Sequence, residues 1–372
     1  MVLSSFLESI IFYIEENMRA LSVLMSVYNG SKYLQEAIES ILNQTYTDFR
    51  FIIIDDASTD DTHDILFKYA RLDPRIIIIT NEQNLGLATS LNYGLNYCDS
   101  VYVARFDADD IAKPDRLQKQ LNYMIAHPYI DILGGALQCV DANGIQTEIV
   151  TYPLSHEEIV KKLTGYGGAI AHPSVCMRVA TIKSVNGYRT KFRSAQDYDL
   201  WLRLVHVAKF ANLADVIVVY KKHEMAISHK KAEQQAINHI LALQAYESRQ
   251  NNMSDFIDKS PLTLDTVLEN LTPCTYSLSL LLHMIVSGKI KVDNNDFLNI
   301  WKLNANNLRL IGNSEDIVYL VKKSININSH IAHTLVYSLL NQDTSIFIKH
   351  IEYAKLVLKT IFESAYFFHL DK

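Results

Sequence analysis

Cysteine is scarce and scattered in this chain. Its four residues, Cys98, Cys139, Cys176 and Cys274, form no Cys-x-x-Cys pair, so neither a zinc knot nor a disulfide framework is expected, and a reducing, cytoplasmic setting fits. Nowhere do apolar residues run together for about 18 positions, the length a membrane-spanning helix needs, so none is expected. Positive charge is not in excess: 35 basic residues face 41 acidic ones, for a net charge of −6 without a basic stripe. Nucleic acid is therefore not expected as the main partner. A Gly-x-Gly-x-x-Gly cradle is missing after the first apolar run, so the usual dinucleotide site is absent. Residues 1–20 lack the basic start and unbroken apolar core of a signal peptide. Glu8, Glu15 and Glu16 interrupt them, and they read as an amphipathic lead-in helix, or as sequence upstream of a start at Met18.

What is present is globular material, 49% apolar and 20% charged over 372 residues, long enough for a sizeable core and more than one domain. From Leu21 strands and helices alternate. Leu21–Val27 reads as a strand, Tyr28-Asn29-Gly30 as its turn, and Ser31 as the cap of a helix with Leu34, Ile38, Ile41 and Leu42 on one face. Phe51–Ile54 is a second strand that stops at Asp55-Asp56, and Thr59 or Asp60 opens a helix burying Ile65, Leu66 and Tyr69. Ile76–Ile79 is a third strand, and a helix over Leu87–Tyr97 precedes a fourth. Largely apolar strands separated by helices predict a parallel sheet covered on both faces.

Beyond Ile130 the rhythm changes. Ile132–Val140 and Gln146–Tyr152 flank Asp141-Ala-Asn143-Gly144, an Asn-Gly hairpin signal. A strand at Ser174–Arg178, helices at Ser155–Tyr166 and Gln196–Ala208 and a strand at Val216–Tyr220 follow, so antiparallel additions extend the sheet. From about residue 229 to the end helical spacing dominates, as in Ile237, Ile240, Leu241 and Leu243 or Phe347, Ile351, Ala354 and Leu358. The expected organisation is a lead-in over 1–20, an α/β domain over 21–228 and a helical domain over 229–372.

The fourth strand, with Val101, Tyr102, Val103 and Phe106, ends in Asp107-Ala-Asp109-Asp110. Three carboxylates this close repel and raise one another's pKa unless a cation sits among them. A hard divalent ion, Mg²⁺ or Mn²⁺, is the usual solution and also brings phosphate to the site. The competing reading is an acidic turn capping the helix that Pro114 opens. The carboxyl ends of strands in open α/β sheets are where ligands bind, which favours the site. Tyr28-Asn29 and Asp55-Asp56 with Ser58 and Asp60 end two other strands of the same sheet, and three polar strand ends along one edge describe a pocket.

Taken in order, Ser22 to Asn29, Ile54-Asp55-Asp56-Ala-Ser58-Thr-Asp60, Asn84-Leu-Gly86 and Asp107-Ala-Asp109-Asp110 with Pro114-Asp-Arg116-Leu117 resemble the family 2 glycosyltransferases of GT-A fold. The resemblance covers residues 21–228. It implies a mixed, mostly parallel Rossmann-like sheet flanked by helices, and an inverting transfer from a nucleotide-sugar to a hydroxyl acceptor. In that family the aromatic of the first motif stacks on the donor's base and the second Asp of the pair bonds the base edge, here Tyr28 and Asp56. The Asp-x-Asp element holds the ribose and a metal on the diphosphate, here Asp107 and Asp109. Ser26, Asn29, Asn84 and Arg105 complete the expected donor side, although Arg105 could equally balance Asp107. Ser26 stands where the family often has proline.

Gln196-Asp197-Tyr-Asp199-Leu-Trp201 resembles the family's acceptor-side acidic motif, which makes Asp197 the implied general base. Direct displacement requires such a group to take the acceptor's proton, while the leaving diphosphate needs its charge neutralised. Asp197 could instead only cap its helix. His172-Pro-Ser174 falls where the family approaches the acceptor, and a lone histidine is as readily structural. Tyr220-Lys221-Lys222-His223 resembles a closing Tyr-Arg-x-His, which makes His223 a metal or diphosphate ligand; Lys221 keeps charge but not Arg's bidentate geometry. The rival reading of that segment is a solvated charge run.

The expectation is thus a UDP-sugar-dependent, Mn²⁺- or Mg²⁺-requiring transferase of hexosyl or N-acetylhexosaminyl type. A glycan or glycolipid acceptor of envelope polysaccharide, capsule or O-antigen would receive the sugar, with peripheral membrane association or self-association through the C-terminal helices. Without a Gln-x-x-Arg-Trp element or membrane helices, a processive synthase is not expected. Two rivals stand beside it: an Asp-x-Asp phosphotransferase, whose motif would follow the first strand, and a non-catalytic nucleotide-sugar-binding module.

Overall fold

The computed structural model describes residues 19–165, 168–222 and 232–271, together with Ser277, Leu280, Leu281, Met284 and Ile290. The chain divides into two compact units, Met1–Lys231 and Ala232–Lys372. The first is built on a nine-stranded mixed sheet. Strands β1 (Arg19–Val27), β2 (Phe49–Asp55), β3 (Ile76–Thr80) and β4 (Ser100–Asp107) are parallel to one another, in the order β3-β2-β1-β4.

Helices α1 (Ser31–Leu42), α2 (Thr62–Leu72) and α3 (Leu87–Leu95) make the crossovers. Side chains of a strand alternate between faces, and here both faces are covered. Leu21, Val23, Met25, Phe49, Phe51 and Ile53 join Leu34, Ile38 and Ile41 of α1 in one core cluster. On the other face α3 lies so close that a Cβ on Gly94 would be 2.3 Å from Leu24 Cδ1. Burial on both sides is why these strands read as apolar runs.

The expected antiparallel additions are present. A two-residue strand, β5 (Ile111–Ala112), precedes α4 (Arg116–Ala126); β6 (Ile132–Val140) and β7 (Gln146–Val150) form the hairpin turned at Asn143-Gly144. After α5 (His156–Gly165) and a 3₁₀ turn at His172–Ser174 comes β8 (Cys176–Arg178), then α6 (Val179–Ser184), α7 (Gln196–Leu204) and β9 (Phe210–Lys221). The short β8 runs antiparallel between β4 and β6, and β9 lies parallel to β6 and antiparallel to β5. In the second unit α8 (Ala232–Gln250) and α9 (Leu264–Glu269) are helical as expected, and Gln244 Nε2 donates to the Val267 carbonyl at 2.9 Å.

Several boundaries differ from the sequence reading for local reasons. Arg19 and Ala20 belong to β1, because Arg19 pairs in register with Ser100 and its guanidinium meets Asp48 at 2.6 Å. Helix α2 begins at Thr62 rather than at Thr59 or Asp60. Thr59 N instead donates to Asn29 Oδ1 at 2.8 Å, and the Asp60 carboxylate accepts from Thr62 N and Ser31 N. Ser31 is the first residue of α1 and Gly30 its cap. Residues 1–18, His223 and the helical spacing from Phe347 to Leu358 lie outside the described residues.

Glycines let β6 pack against its neighbours. A Cβ at Gly134 would fall 2.2 Å from Asn212 Oδ1 and 2.7 Å from Ile170 Cγ1. Asn212 cannot yield cheaply, since its Nδ2 donates to the Pro153 and Ala169 carbonyls. Gly134→Ala is therefore expected to lower the unfolding free energy by about 1–3 kcal/mol, seen as a lower urea midpoint at unchanged slope.

Candidate active site

Strand register brings the sequence motifs to one sheet edge. Val27 lies opposite Asp55, Asp55 opposite Thr80, and Ser26 opposite Asp107. The β1–α1 and β2–α2 turns are laced together there. Asn29, at φ 51°, donates its N–H to Ser58 Oγ at 3.0 Å and accepts from Thr59, and Gly30 N donates to Thr62 Oγ1 at 2.9 Å. Tyr28 stands out from this turn half exposed, with its ring open to a stacking partner. Asp56, by contrast, is buried. It accepts from Asn81 Nδ2 at 2.7 Å and from the backbone N–H groups of Leu85 and Gly86, each at 2.8 Å, and so pins the turn that carries the exposed Asn84.

At the end of β4 the Asp107, Asp109 and Asp110 carboxylates each offer an oxygen within 4.8 Å of the others. Arg105 is buried and holds both Asp107 oxygens with its two Nη atoms. Behind it lies a second buried arginine. Arg116 donates to the Arg105 carbonyl at 2.7 Å and to Gln120 Oε1 at 3.1 Å, with its guanidinium over the Phe106 ring; burial brings its pKa down to about 10. Asp110 accepts the Lys221 N–H at 3.1 Å through Oδ1, whereas its buried Oδ2 has no hydrogen-bond partner among the described residues. Burial first, then the Asp107 and Asp109 charges, hold Asp110 well above the ordinary carboxylate range. A buried carboxylate oxygen without a donor costs free energy unless a proton or a cation meets it. Three clustered oxygens with one orphan are a donor set suited to a hard divalent cation.

The later strands bring the acceptor-side motif to the same place. Asp197 sits in the first turn of α7, half-buried. Ala195, in the left-handed region at φ 59°, is the cap residue, so Asp197, two positions on, is not the helix cap. Its negative charge reaches the β4 site. Asp107 is raised by burial against the pull of Arg105, and the Asp109 and Asp197 charges add to that rise. Tyr152 is pushed up to about 12 by burial, then by Cys139 and Asp197. Asp199, two residues on, points elsewhere. Fully buried, it pairs with Arg203 Nε at 2.9 Å and Arg189 Nη1 at 3.3 Å, while Arg203 also donates to the Val185 and Gly187 carbonyls, each at 2.7 Å.

That loop carries Tyr188, whose backbone is bracketed by both ends of the Asn92 amide. Gly187 is required at φ 63°, since a Cβ would lie 2.3 Å from Asn92 Oδ1. The Tyr188 hydroxyl meets His172 Nε2 at 2.8 Å, and the imidazole packs edge-on to Trp201. Burial, then Arg105, keeps His172 well below the usual histidine range, so it is neutral and part of the wall.

The structure therefore gathers Ser26, Tyr28, Asn29, Asp56, Arg105, Asp107 and Asp109 on one edge, with Asn84 on the adjoining turn and Asp197 within electrostatic reach of Asp107. Lys221 Nζ is turned onto Glu36 and the Tyr33 ring. Arg105 is taken up by Asp107, the balancing role weighed for it. Asp110, Asp199, Tyr188 and Arg116 carry more of the site than their sequence context conveys. The i,i+4 spacing of Asp199 and Arg203 was the one readable sign.

Residues 22–182 match the Glycosyl transferase family 2. The O-antigen biosynthesis glycosyltransferase WbnJ of Escherichia coli is 33% identical over 262 residues, covering 69% of this chain and 94% of WbnJ. The amylovoran biosynthesis glycosyltransferase AmsE of Erwinia amylovora is 33% identical over 201 residues, covering 53% of this chain and 74% of AmsE. Among solved structures, TarS 1-349 of S. aureus in complex with UDP superposes with a TM-score of 0.53 at 17% identity, over 85% of this chain and 90% of that one. This last is a likeness of fold. The WbnJ match, above 30% identity over nearly all of that relative, decides the identity: the chain belongs to glycosyl transferase family 2.

Proposed function

We propose that this glycosyltransferase is inverting and divalent-metal-dependent, and moves a sugar from a UDP-sugar to a hydroxyl of an envelope glycan or glycolipid. The observation that carries the reading is the pairing of two acidic centres: the Asp107, Asp109 and Asp110 cluster with its orphaned oxygen, and Asp197 within electrostatic reach of Asp107. The names of WbnJ and AmsE place those relatives in O-antigen and amylovoran biosynthesis, which supports a polysaccharide acceptor. UDP in the fold-mate TarS supports a uridine donor.

Tyr28 would stack on the base, and Asp56, with Asn29 and Asn84 beside it, would border the base edge. Asp109 and Asp110 would hold the cation with Asp107, which Arg105 keeps in place, and a Mn²⁺ or Mg²⁺ held there would supply charge neutralisation for the leaving diphosphate. Asp197 takes the proton of the acceptor hydroxyl as its oxygen bonds to the anomeric carbon. The bond to the diphosphate breaks with its electron pair on the leaving oxygen. A single displacement of this kind inverts an α-linked donor to a β-linked product. Family membership leaves the phosphotransferase reading without support.

A screen of nucleotide-sugars for transfer and hydrolysis tests the donor. Asp197→Asn is expected to lower kcat at least about a hundredfold while UDP affinity stays within twofold; unchanged transfer removes Asp197 as the base. Asp109→Asn is expected to abolish the Mn²⁺ dependence of UDP binding, measured by titration with and without chelator. The two acidic residues of α7 should also part in stability. Asp199→Asn leaves Arg203 and Arg189 without their shared partner and should cost about 3–5 kcal/mol, whereas Asp197→Asn should stay within about 0.5 kcal/mol, both read by urea denaturation.

A further inference from the structure

The segment that leads into α7 crosses to the donor-side turn, and a single side chain makes the crossing. Phe192, Ser194 and Ala195 are buried, while Arg193 between them projects outward and is exposed. Its Nη1 donates to the Leu85 carbonyl at 2.9 Å. The end of the guanidinium closes on Gly86, where a Cβ would meet Arg193 Nη1 at 2.4 Å and Cζ at 3.5 Å. Leu85 and Gly86 are the two residues whose N–H groups Asp56 holds. Arg193 thus stands on the turn that bears Asn84, four residues ahead of Asp197.

Its neighbours in sequence are engaged otherwise. Arg189 and Arg203 are both drawn to Asp199. Among the described residues Arg193 has no carboxylate in ion-pair reach, and one carbonyl is a small share of the five N–H donors a guanidinium carries. A cation of this kind, on the turn proposed to border the donor, matches an anion with paired oxygens, for which guanidinium geometry is suited. We infer that Arg193 is a donor-binding residue that holds the diphosphate of the nucleotide-sugar from the side of the segment leading into α7. Donor binding then also fixes the segment that begins α7 and so orients Asp197.

This inference rests on the nucleotide-sugar reading, and its test separates the two. Full-length wild type, Arg193→Ala and Arg193→Lys are titrated with UDP and GDP in Mn²⁺, and with uridine and guanosine at millimolar concentration. For whichever diphosphate the wild type binds, Arg193→Ala is expected to weaken binding about tenfold, Arg193→Lys by less, and the nucleoside by under twofold. Thermal midpoints within about 2 °C confirm that the variants fold. Diphosphate affinity within twofold of wild type in a folded Arg193→Ala overturns the inference and leaves the reading intact. Equal loss for nucleoside and diphosphate also overturns it, since a loop brace would act that way. A wild type that binds neither UDP nor GDP overturns the nucleotide-sugar reading itself, and the inference with it.

Discussion

Three carboxylates forced together at the end of one buried strand set the terms for this fold. Asp107, Asp109 and Asp110 cannot all be ionised cheaply in so small a space, and the chain supplies only partial relief. Arg105 takes both oxygens of Asp107, and Arg116 beneath it secures the Arg105 carbonyl, so that β4 ends on a rigid base. Asp110 receives one backbone donor from β9, and its second oxygen receives none among the described residues. That imbalance distinguishes the cluster from an ordinary acidic turn. A turn on the surface would have let water satisfy every oxygen.

The sheet order turns this local tension into a site. Because β8 inserts antiparallel between β4 and β6, the strand that follows α7 returns beside the cluster, and its Lys221 N–H reaches Asp110. The same insertion brings the His172–Tyr188 pair and the first turn of α7 to face Arg105 and Asp107. Stiffness there comes from the interior. Asp199 clamps two arginines, Arg203 holds two carbonyls of the preceding loop, and Asn92 of α3 grips Tyr188 from the donor side. A general base has to be held in position while remaining chemically free, and in α7 the neighbour does the holding.

Much of this order was legible in the sequence. The four parallel strands announce themselves because both of their faces are buried, and their polar ends fall in register because each strand stops at the same sheet edge. The Asn143-Gly144 hairpin was legible from its turn chemistry alone. Other features left little trace. A three-residue strand such as Cys176–Arg178 carries too short a pattern to show its direction or its neighbours. Thr59 and Asp60 looked like helix caps because the partners that claim them, Asn29 and Ser31, lie on another turn. Arg116 stands in the first turn of a helix with nothing in its sequence context to show its depth, yet it is one of the largest fully buried side chains. Asp197 and Asp199 are equivalent as letters; packing against Arg189 and Arg203 tells them apart.

The central claim is that a divalent cation joins the β4 carboxylates to a nucleotide diphosphate. An anomalous-difference map of crystals grown with Mn²⁺ and UDP tests it directly. The account predicts one strong peak within coordination distance of Asp109 and Asp110, bridged to diphosphate oxygens, with Asp197 open to the space beyond. A UDP diphosphate bound away from these carboxylates, or a map without a peak among them, would contradict it.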